Sequence, residues 1–193
     1  NLPVLPLKGM VLFPGHLLPV VVARTTSIRA VETAIKNNGK VFAVLQRDDK
    51  KAPTPHNLAE MGVITKLGMI KQDNKGMSMI LQGERRATAV RYEELEGVLS
   101  AELNPVIDVQ PLDDKASTFV ALNEELHQRA EELGKLYDIP EEAIRQVVDP
   151  QKKPSVFSDQ LAGFLDLSVE EKQDILKTFD VEERMRKVLR QIQ

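Results

Sequence analysis

The sequence of 193 residues contains no cysteine, and that absence excludes several kinds of chemistry at once. Without thiols the chain can form no disulfide, hold no metal through thiolates and use no cysteine nucleophile. A lack of cysteine is typical of reducing compartments, so we expect a cytoplasmic location. No apolar run approaches the roughly 20 residues that a membrane span requires, so we expect no membrane partner. The first residues resemble a strand rather than a charged segment followed by an apolar one, so the sequence predicts no signal peptide.

Residues suited to acid–base or metal chemistry are few and scattered. The three histidines fall on separate predicted elements and lack the spacing of metal ligands, so we expect no metal site. They are His16, His56 and His127. Acidic pairs such as Glu93-Glu94 and Glu131-Glu132 are more typical of solvated helix faces and strand ends than of catalytic pairs. The sequence therefore predicts no catalytic residue.

What the chain does contain, at its start, is an apolar stretch interrupted by four prolines. Pro3–Arg24 divides into three short extended pieces, Val4–Leu7, Met10–Phe13 and Leu18–Val22. Proline has no backbone donor, so it marks strand edges, strand starts and turns. A jointed apolar ribbon of this kind favours the wall of a small, strongly bent β-barrel.

The next part of the chain predicts one helix and several further strands. The hydroxyl side chains of residues 25–27 offer caps for a helix that ends at Asn38-Gly39. Lys40–Gln46 has the composition of a buried strand. The turn Asp73–Gly76 joins two extended segments as a hairpin, and Gly83 predicts a bulge or bend in the returning strand. We therefore expect six or more strands and one helix, folded as a bent barrel or sandwich.

Near Pro111 both the charge and the periodicity of the sequence change. Residues 1–112 contain 14 lysines and arginines against 11 carboxylates, whereas residues 113–193 contain 12 against 18. The resulting net charges of +3 and −6 add up to the −3 of the chain. Helical spacing then continues to the end, with a capping box at Ser168–Glu171 and a cap at Asp180. The sequence thus predicts an α+β protein with a β-rich lobe over 1–112 and an α-helical lobe over 113–193.

Three methionines, Met69, Met77 and Met79, lie on the arms of the predicted hairpin. One interpretation places them in the core of the β-rich lobe. The other makes them an exposed apolar patch for unfolded segments, because thioether side chains are flexible and adapt to varied partners. These three residues are the candidate substrate-binding residues.

Two basic pairs, Lys50-Lys51 and Arg85-Arg86, raise nucleic acid as an alternative partner. Surfaces that bind single-stranded nucleic acid combine basic with aromatic side chains, and Tyr92 is the one aromatic residue that interleaves these pairs. Arg86 is expected instead to be a structural arginine that ties a strand to a loop. We therefore favour a protein partner over nucleic acid.

Short motifs spread in order along the chain resemble those of one protein family. They are Pro3-Val-Leu-Pro6-Leu7, Ser27-Ile28-x-Ala30-Val31, Phe42-x-Val44-x-Gln46, Gly62-Val63, Gly83-x-x-Arg86-Ala87, Asp149-Pro150, Glu171-Lys172-Gln173-x-Ile175-Leu176 and Asp180-Val181-x-x-Arg184. Together they resemble the N-terminal domain of the Lon family of ATP-dependent proteases, over essentially the whole chain. Gln151–Ser158 departs from the family pattern, in which Asp-Pro more often runs directly into a helix.

The resemblance implies a β-rich pseudo-barrel lobe with one helix, followed by an α-helical bundle lobe. It also implies recognition of unfolded or damaged protein substrates, and their delivery to downstream modules that form a hexamer, use ATP and Mg²⁺ and carry a serine protease. Neither Gly39-Lys40 nor Gly134-Lys135 has the flanking residues of a phosphate-binding loop, so we expect this chain itself to bind no cofactor and to be no enzyme. The apolar stripe of the last helix is still running at Gln193, so we expect that helix to lead toward the ATPase module. The alternatives are a stand-alone adaptor of the same family and a nucleic-acid-binding β-barrel module.

Overall fold

The computed structural model describes residues 1–48 and 52–193, and the chain divides into two compact units, Asn1–Val106 and Ile107–Gln193. The sequence places the change of structure later, between residues 112 and 113. The segment that follows Val106 belongs to the second unit because Val109 forms a β-bridge with Asp180. The α+β class is as predicted.

The first unit contains six strands and one helix among its described residues. In chain order they are β1 (Leu2–Leu7), β2 (Leu17–Val22), α1 (Thr25–Lys36), β3 (Lys40–Leu45), β4 (Met61–Asp73), β5 (Gly76–Leu95) and β6 (Val98–Pro105). The strand order in the sheet is β2-β5-β4-β3-β1-β6, and β5 also pairs with β6. β5 has 20 residues, which is long enough to bind β2 and β4 through its first half and β6 through its second. The pairings therefore close into a ring of β1, β3, β4, β5 and β6, to which β2 adds as an edge strand.

The β4–β5 hairpin and its bulge confirm the sequence predictions. Asp73 pairs with Gly76 at the turn, where Gly76 has a φ of 140° and a Cβ would lie 2.3 Å from the Val22 carbonyl oxygen. Further along, the register shifts so that Glu84 is the extra residue next to Gly83. Only glycine can adopt the backbone conformation of Gly76 without strain, so the sequence specifies this turn closely.

Met10–Phe13, predicted as one of three short extended pieces, does not form a strand. The segment has irregular backbone, and the consecutive side chains of Val11, Leu12 and Phe13 are all buried. A strand with one buried face would alternate buried and exposed side chains instead. The Phe13 carbonyl also comes so close to β5 that a Cβ on Gly83 would lie 2.3 Å from its oxygen.

Helix α1 packs its small buried side chains, including Ala30, Val31 and Ala34, into the first unit. Its N-cap residue is Arg24, whose side chain makes no capping hydrogen bond, and the predicted caps at 25–27 lie inside the first turn. The core of the first unit is an apolar cluster contributed by α1, several strands and the segment between β1 and β2. Its members are Leu5, Leu7, Leu12, Val22, Val31, Ala34, Val41, Ala43, Leu67, Met77, Met79 and Leu81.

The second unit consists of five helices. They are α2 (Ser117–Leu136), α3 (Glu141–Val147), α4 (Pro154–Phe164), α5 (Val169–Lys177) and α6 (Val181–Ile192). The capping box at Ser168 and Glu171 and the cap at Asp180 are both formed, as predicted. α4 begins at Pro154, a residue type that suits the first helical position because its fixed φ matches the helix.

Arg184 of α6 is fully buried and organises the second unit. Its guanidinium donates to both carboxylate oxygens of Asp108, at 3.0 and 2.9 Å, and lies 3.3 Å from the Asp159 carboxylate. Its N–H groups also donate to the Ser158 hydroxyl and to the carbonyl oxygens of Ser155 and Thr178. Burial alone would lower the pKa of Arg184, but the hydrogen bonds to Asp108 and the charge of Asp159 raise it overall. One side chain thus ties the segment after Val106 to α4, α5 and α6.

Candidate functional site

Strand β2 presents a row of apolar side chains to solvent. Leu17 and Val21 are 58% and 66% exposed, and Pro19 between them is also exposed. The alternate residues of the strand turn inward, and Val22 lies in the core. β2 pairs with β5 on one side and has no pairing partner on the other among the described residues, so it is an edge strand, a position in which proline is tolerated.

A bulge in β4 adds a methionine to this row. Gly68 pairs with Ile80 and Lys71 with Ser78, so the two residues between them on β4 face the single residue between them on β5. Met69 lies in this bulge with a φ of 49°, and its side chain is 73% exposed. A positive φ is uncommon for a residue other than glycine, so the local backbone is strained where it turns this side chain outward.

Between β2 and the bulge lies a shallow depression of about 310 Å³. Pro19, Val21, Met69 and Ile80 line it with apolar atoms, and Lys71 and Ser78 contribute polar ones. We call Leu17, Pro19, Val21, Met69 and Ile80 the apolar face. It can remove the apolar side chains of a partner from water, an attraction that has no directional requirement and therefore tolerates many sequences.

The other two methionines of the hairpin do not belong to the apolar face. Met77 and Met79 are only 5% and 3% exposed and lie in the core cluster. They occupy alternate positions of β5 opposite Val22 and Val20, on the inward side of the sheet. The interpretation that places these two side chains in the core is therefore correct, and the exposed patch contains Met69 without them. The substrate-binding role of Met69 stays a prediction.

Leu17 and Val21 were not among the sequence candidates, although a signal for them exists. Residues 17–22 are apolar throughout, which predicts a strand buried on both faces. Pro19 in the middle of that run indicates an edge strand, and an edge strand can have a solvated face.

The basic pairs do not form a surface suited to nucleic acid in the part of the chain that is described. Lys50-Lys51 lies outside the described residues. Arg86 is buried, and its carbonyl accepts a hydrogen bond from Val106, so Arg85 alone of that pair is exposed. The Tyr92 ring is half-buried, and burial raises the pKa of its hydroxyl to about 12.

His127 and the Glu131-Glu132 pair have structural surroundings. The His127 ring stacks on Phe157 with a centroid separation of 4.0 Å, and its Nδ1 lies 2.7 Å from the Asn123 carbonyl oxygen. Glu131 and Glu132 form exposed ion pairs with neighbouring basic residues of α2. Across residues 1–48 and 52–193, no group of three or more potential ligands could hold a metal ion. No helix in the same residues is long and apolar enough to cross a membrane.

Comparison with known proteins gives relatives of one kind. The chain is 37% identical to Lon protease 1 of Sorangium cellulosum over 189 residues, and 34% identical to the Lon protease of Neorickettsia sennetsu over 199 residues. These matches cover 96% and 97% of the chain but only 23% of each relative, so the chain spans about a quarter of their length.

Solved structures show the same fold. The N-terminal domain of a Mycobacterium avium complex Lon protease superposes with a TM-score of 0.80 at 23% identity, covering 99% of this chain and 97% of the other. The Lon N-terminal domain protein of Xanthomonas campestris superposes with a TM-score of 0.67 at 18% identity, covering 98% and 96%. The family model described as the ATP-dependent protease La (LON) substrate-binding domain matches residues 1–193. The chain therefore belongs to the family of Lon substrate-binding domains.

Proposed function

We propose that this chain recognises unfolded or damaged proteins and that its apolar face is the surface that binds them. The observation that carries the proposal is the exposure of Val21 and Met69 in one depression, with Leu17 exposed further along β2, on a sheet whose other face is packed. Folded proteins keep most of their large apolar side chains inside, whereas unfolded segments offer them to such a surface. Membership of the Lon substrate-binding family supports the same role.

The rest of the proposed function concerns the longer protein to which such a domain belongs. The chain would deliver its substrates to an ATPase and serine protease core that uses ATP and Mg²⁺ and assembles as a hexamer in the cytoplasm. Its relatives are Lon proteases about four times as long, which leaves room for those modules. The domain by itself would neither hydrolyse ATP nor cleave peptides.

The proposed binding is weak for a single domain. Each large apolar side chain that becomes fully buried contributes about 1.5–3 kcal/mol. Ordering an unfolded partner offsets much of this gain, so a dissociation constant in the micromolar range or weaker is expected. Several copies around a ring would raise the effective concentration of each site for the next segment of the same substrate.

The experiment compares two double variants for binding to reduced and carboxymethylated lysozyme, a protein that cannot refold. The test variant is Val21→Ser with Met69→Ser, which removes two side chains of the apolar face. The control is Val90→Ser with Leu95→Ser, which removes two similarly exposed apolar side chains from the far half of β5. The test variant is expected to bind at least about fivefold more weakly than the wild type, which corresponds to about 1 kcal/mol.

Thermal unfolding checks that both variants are folded, and neither is expected to lose much stability because all four side chains are exposed. Equal loss of binding in both variants would mean that apolar surface in general, rather than the apolar face, captures the unfolded protein. Unchanged binding by the test variant would reject the apolar face as the binding surface.

A further inference from the structure

A second concave site lies on the first unit between the C-terminal halves of β1 and β2, where it adjoins the apolar face through Val21. It is a cavity of about 240 Å³, and we call it the β1–β2 groove. Its apolar walls come from residues such as Leu5, Met10 and Val20, and its remaining wall is the start of α1. The volume suits a single amino-acid residue better than a folded ligand.

Pro6 helps to explain why this groove stays open. The Leu7 carbonyl accepts a hydrogen bond from Gln46 next to β3, so the neighbouring Pro6 turns its polar groups to the opposite side, toward the groove that it lines. Because proline has no N–H to donate, β1 cannot continue a regular hydrogen-bond ladder through this position.

The start of α1 supplies hydrogen-bond donors to the groove. The first bond within the helix runs from the Ile28 N–H to the Arg24 carbonyl, so the N–H groups of residues 25–27 precede the helical ladder. The side chain of the N-cap residue, Arg24, makes no capping hydrogen bond to them. Uncapped N–H groups and the helix dipole together make the start of a helix favourable for an anion.

Ser27 is an independent sign that this site takes a ligand. The residue lines the groove and is only 4% exposed, yet its hydroxyl has no hydrogen-bond partner among the described residues. Buried hydroxyl groups nearly always have a partner, because leaving one unpaired costs roughly 1–3 kcal/mol. An acceptor bound in the groove would receive this hydrogen bond.

The charge of the groove has one sign. Lys8 and Arg24 line it, and none of its lining residues within 1–48 and 52–193 is acidic. Arg24 is partly buried, which lowers its pKa, and its guanidinium donates to the neutral amide of Gln46, so it can attract an anion in the groove. Lys8 is half-buried at the other side of the groove.

We propose that the β1–β2 groove binds the free C-terminal carboxylate of a polypeptide whose last side chain is apolar. The carboxylate accepts from the Ser27 hydroxyl and the N–H groups at the start of α1, with Lys8 and Arg24 supplying the opposite charge. The apolar walls receive the last side chain. This inference rests on the proposed role in binding polypeptides and adds a preference for exposed apolar C-termini, at a groove that adjoins the apolar face and shares Val21 with it.

The test measures fluorescence anisotropy of labelled hexapeptides with the 193-residue chain. The first peptide, Gly-Ser-Ala-Val-Val-Leu, carries its label at the N-terminus and ends in a free carboxylate. The second has the same sequence with a C-terminal amide, and the third is Gly-Ser-Ala-Val-Glu-Leu amide, which offers an internal carboxylate only. The free acid is expected to bind at least about tenfold more tightly than either amide, because charge-assisted hydrogen bonds are about twice as strong as neutral ones.

Variants assign the effect to the groove. Lys8→Gln, Arg24→Gln and Ser27→Ala are each expected to weaken binding of the free acid and to leave the weak binding of the amide unchanged. Lys36→Gln is the matched control, because Lys36 is an exposed lysine at the other end of α1, and it is expected to bind as the wild type does. The proposal would be overturned if the wild type bound the acid and its amide with equal affinity. It would also be overturned if Lys36→Gln lost as much affinity for the acid as the groove variants do. Tight binding of the internal carboxylate would overturn the assignment to C-termini.

The same variants separate this inference from the proposed function. Unfolded lysozyme with an amidated C-terminus is expected to bind Lys8→Gln and the wild type alike through the apolar face. Suppose that both proteins bind this lysozyme equally well, and that the hexapeptide acid and amide have the same affinity for the wild type. The groove proposal then fails, and the proposed function stands.

Discussion

At the scale of single residues, Arg184 is the side chain on which the second unit depends most. Its charge is fully removed from solvent, and it is matched by the bidentate Asp108 and the buried Asp159. Removing one partner of a buried pair is costly mainly because the other charge is left without compensation. The Arg184 position is therefore sensitive to substitution although no ligand is involved.

We expect Arg184→Met to lower the free energy of unfolding by about 3–5 kcal/mol, because it removes the cation that compensates the buried Asp159 carboxylate. Arg186→Met is the matched control two residues later, since Arg186 forms an exposed ion pair with Glu182 at 2.9 Å. Exposed pairs of this kind contribute about 0.3–0.5 kcal/mol. Urea denaturation of both variants measures the difference, and similar losses would show that Arg184 does not organise the second unit.

Tyr92 provides a second residue-scale prediction. Burial raises the pKa of its hydroxyl from 10.0 to about 12, so the folded state holds this proton over a range of pH in which the unfolded state releases it. The stability linked to Tyr92 is accordingly complete below pH 10 and is lost as the pH rises toward 12. The chain has two tyrosines, so the variant Tyr137→Phe leaves Tyr92 as the sole source of tyrosinate absorbance.

In that variant we expect the absorbance at high pH to rise with a midpoint well above 10 while the protein stays folded. The same variant in concentrated urea is expected to titrate near 10, the value of an unburied tyrosine. Circular dichroism at each pH reports whether the chain is still folded. A folded-state midpoint near 10 would contradict the burial of this hydroxyl.

At the scale of elements, the sequence predicts best where one local interaction decides the structure. The hairpin at Asp73–Gly76 forms because glycine alone fits its turn, and α5 and α6 begin where Ser168 and Asp180 cap them. The register of β4 against β5 lies beyond such local rules. It decides that Met69 is exposed while Met77 and Met79 are buried, and it follows from pairing across the whole sheet.

The two sites of the first unit were hidden from sequence reasoning for the same reason. Leu17 and Val21 are exposed because β2 lies at the edge of the sheet, and the strand order is a property of the complete fold. The β1–β2 groove combines Pro6 of β1 with Arg24 and Ser27 at the start of α1, which lie far apart in the sequence. Only the tertiary structure brings these residues together.

The capping box of α5 leads to a prediction about acid stability. The hydrogen bonds from the Ser168 side chain and backbone lower the pKa of the Glu171 carboxylate below its ordinary value of 4.5. Because the unfolded state takes up this proton at a higher pH than the folded state, the stabilisation is present above pH 4.5 and is lost as the pH falls through the folded-state pKa.

We therefore expect Glu171→Gln to be less stable than the wild type at pH 7, with the difference shrinking toward pH 3. Glu170→Gln is the control, because Glu170 lies in the same first turn outside the capping box. Thermal unfolding at the two pH values measures both differences. A difference for Glu171→Gln that stays constant with pH would show that the charge of this carboxylate does not contribute.

At the scale of the whole molecule, both proposed sites lie on the first unit and suit different parts of one kind of ligand. The apolar face would take side chains from any exposed apolar segment, whereas the β1–β2 groove would take a chain end with its charge. The salt dependence of the affinity distinguishes the two sites. Added salt should weaken binding to the groove, because ions screen the attraction of Lys8 and Arg24 for a carboxylate, but it should not weaken binding to the apolar face. The central claim is that the apolar face captures unfolded protein.

The most direct test of that claim is an amide chemical-shift titration of the ¹⁵N-labelled chain with reduced and carboxymethylated lysozyme. We expect the shifts to concentrate in β2, Leu17–Val22, and in the facing parts of β4 and β5 around Met69 and Ile80. The amides of β6, Val98–Pro105, serve as the internal reference for the first unit, and their chemical shifts should not change. Shifts that are absent from β2 and Met69, or that are confined to the helices of the second unit, would contradict the account.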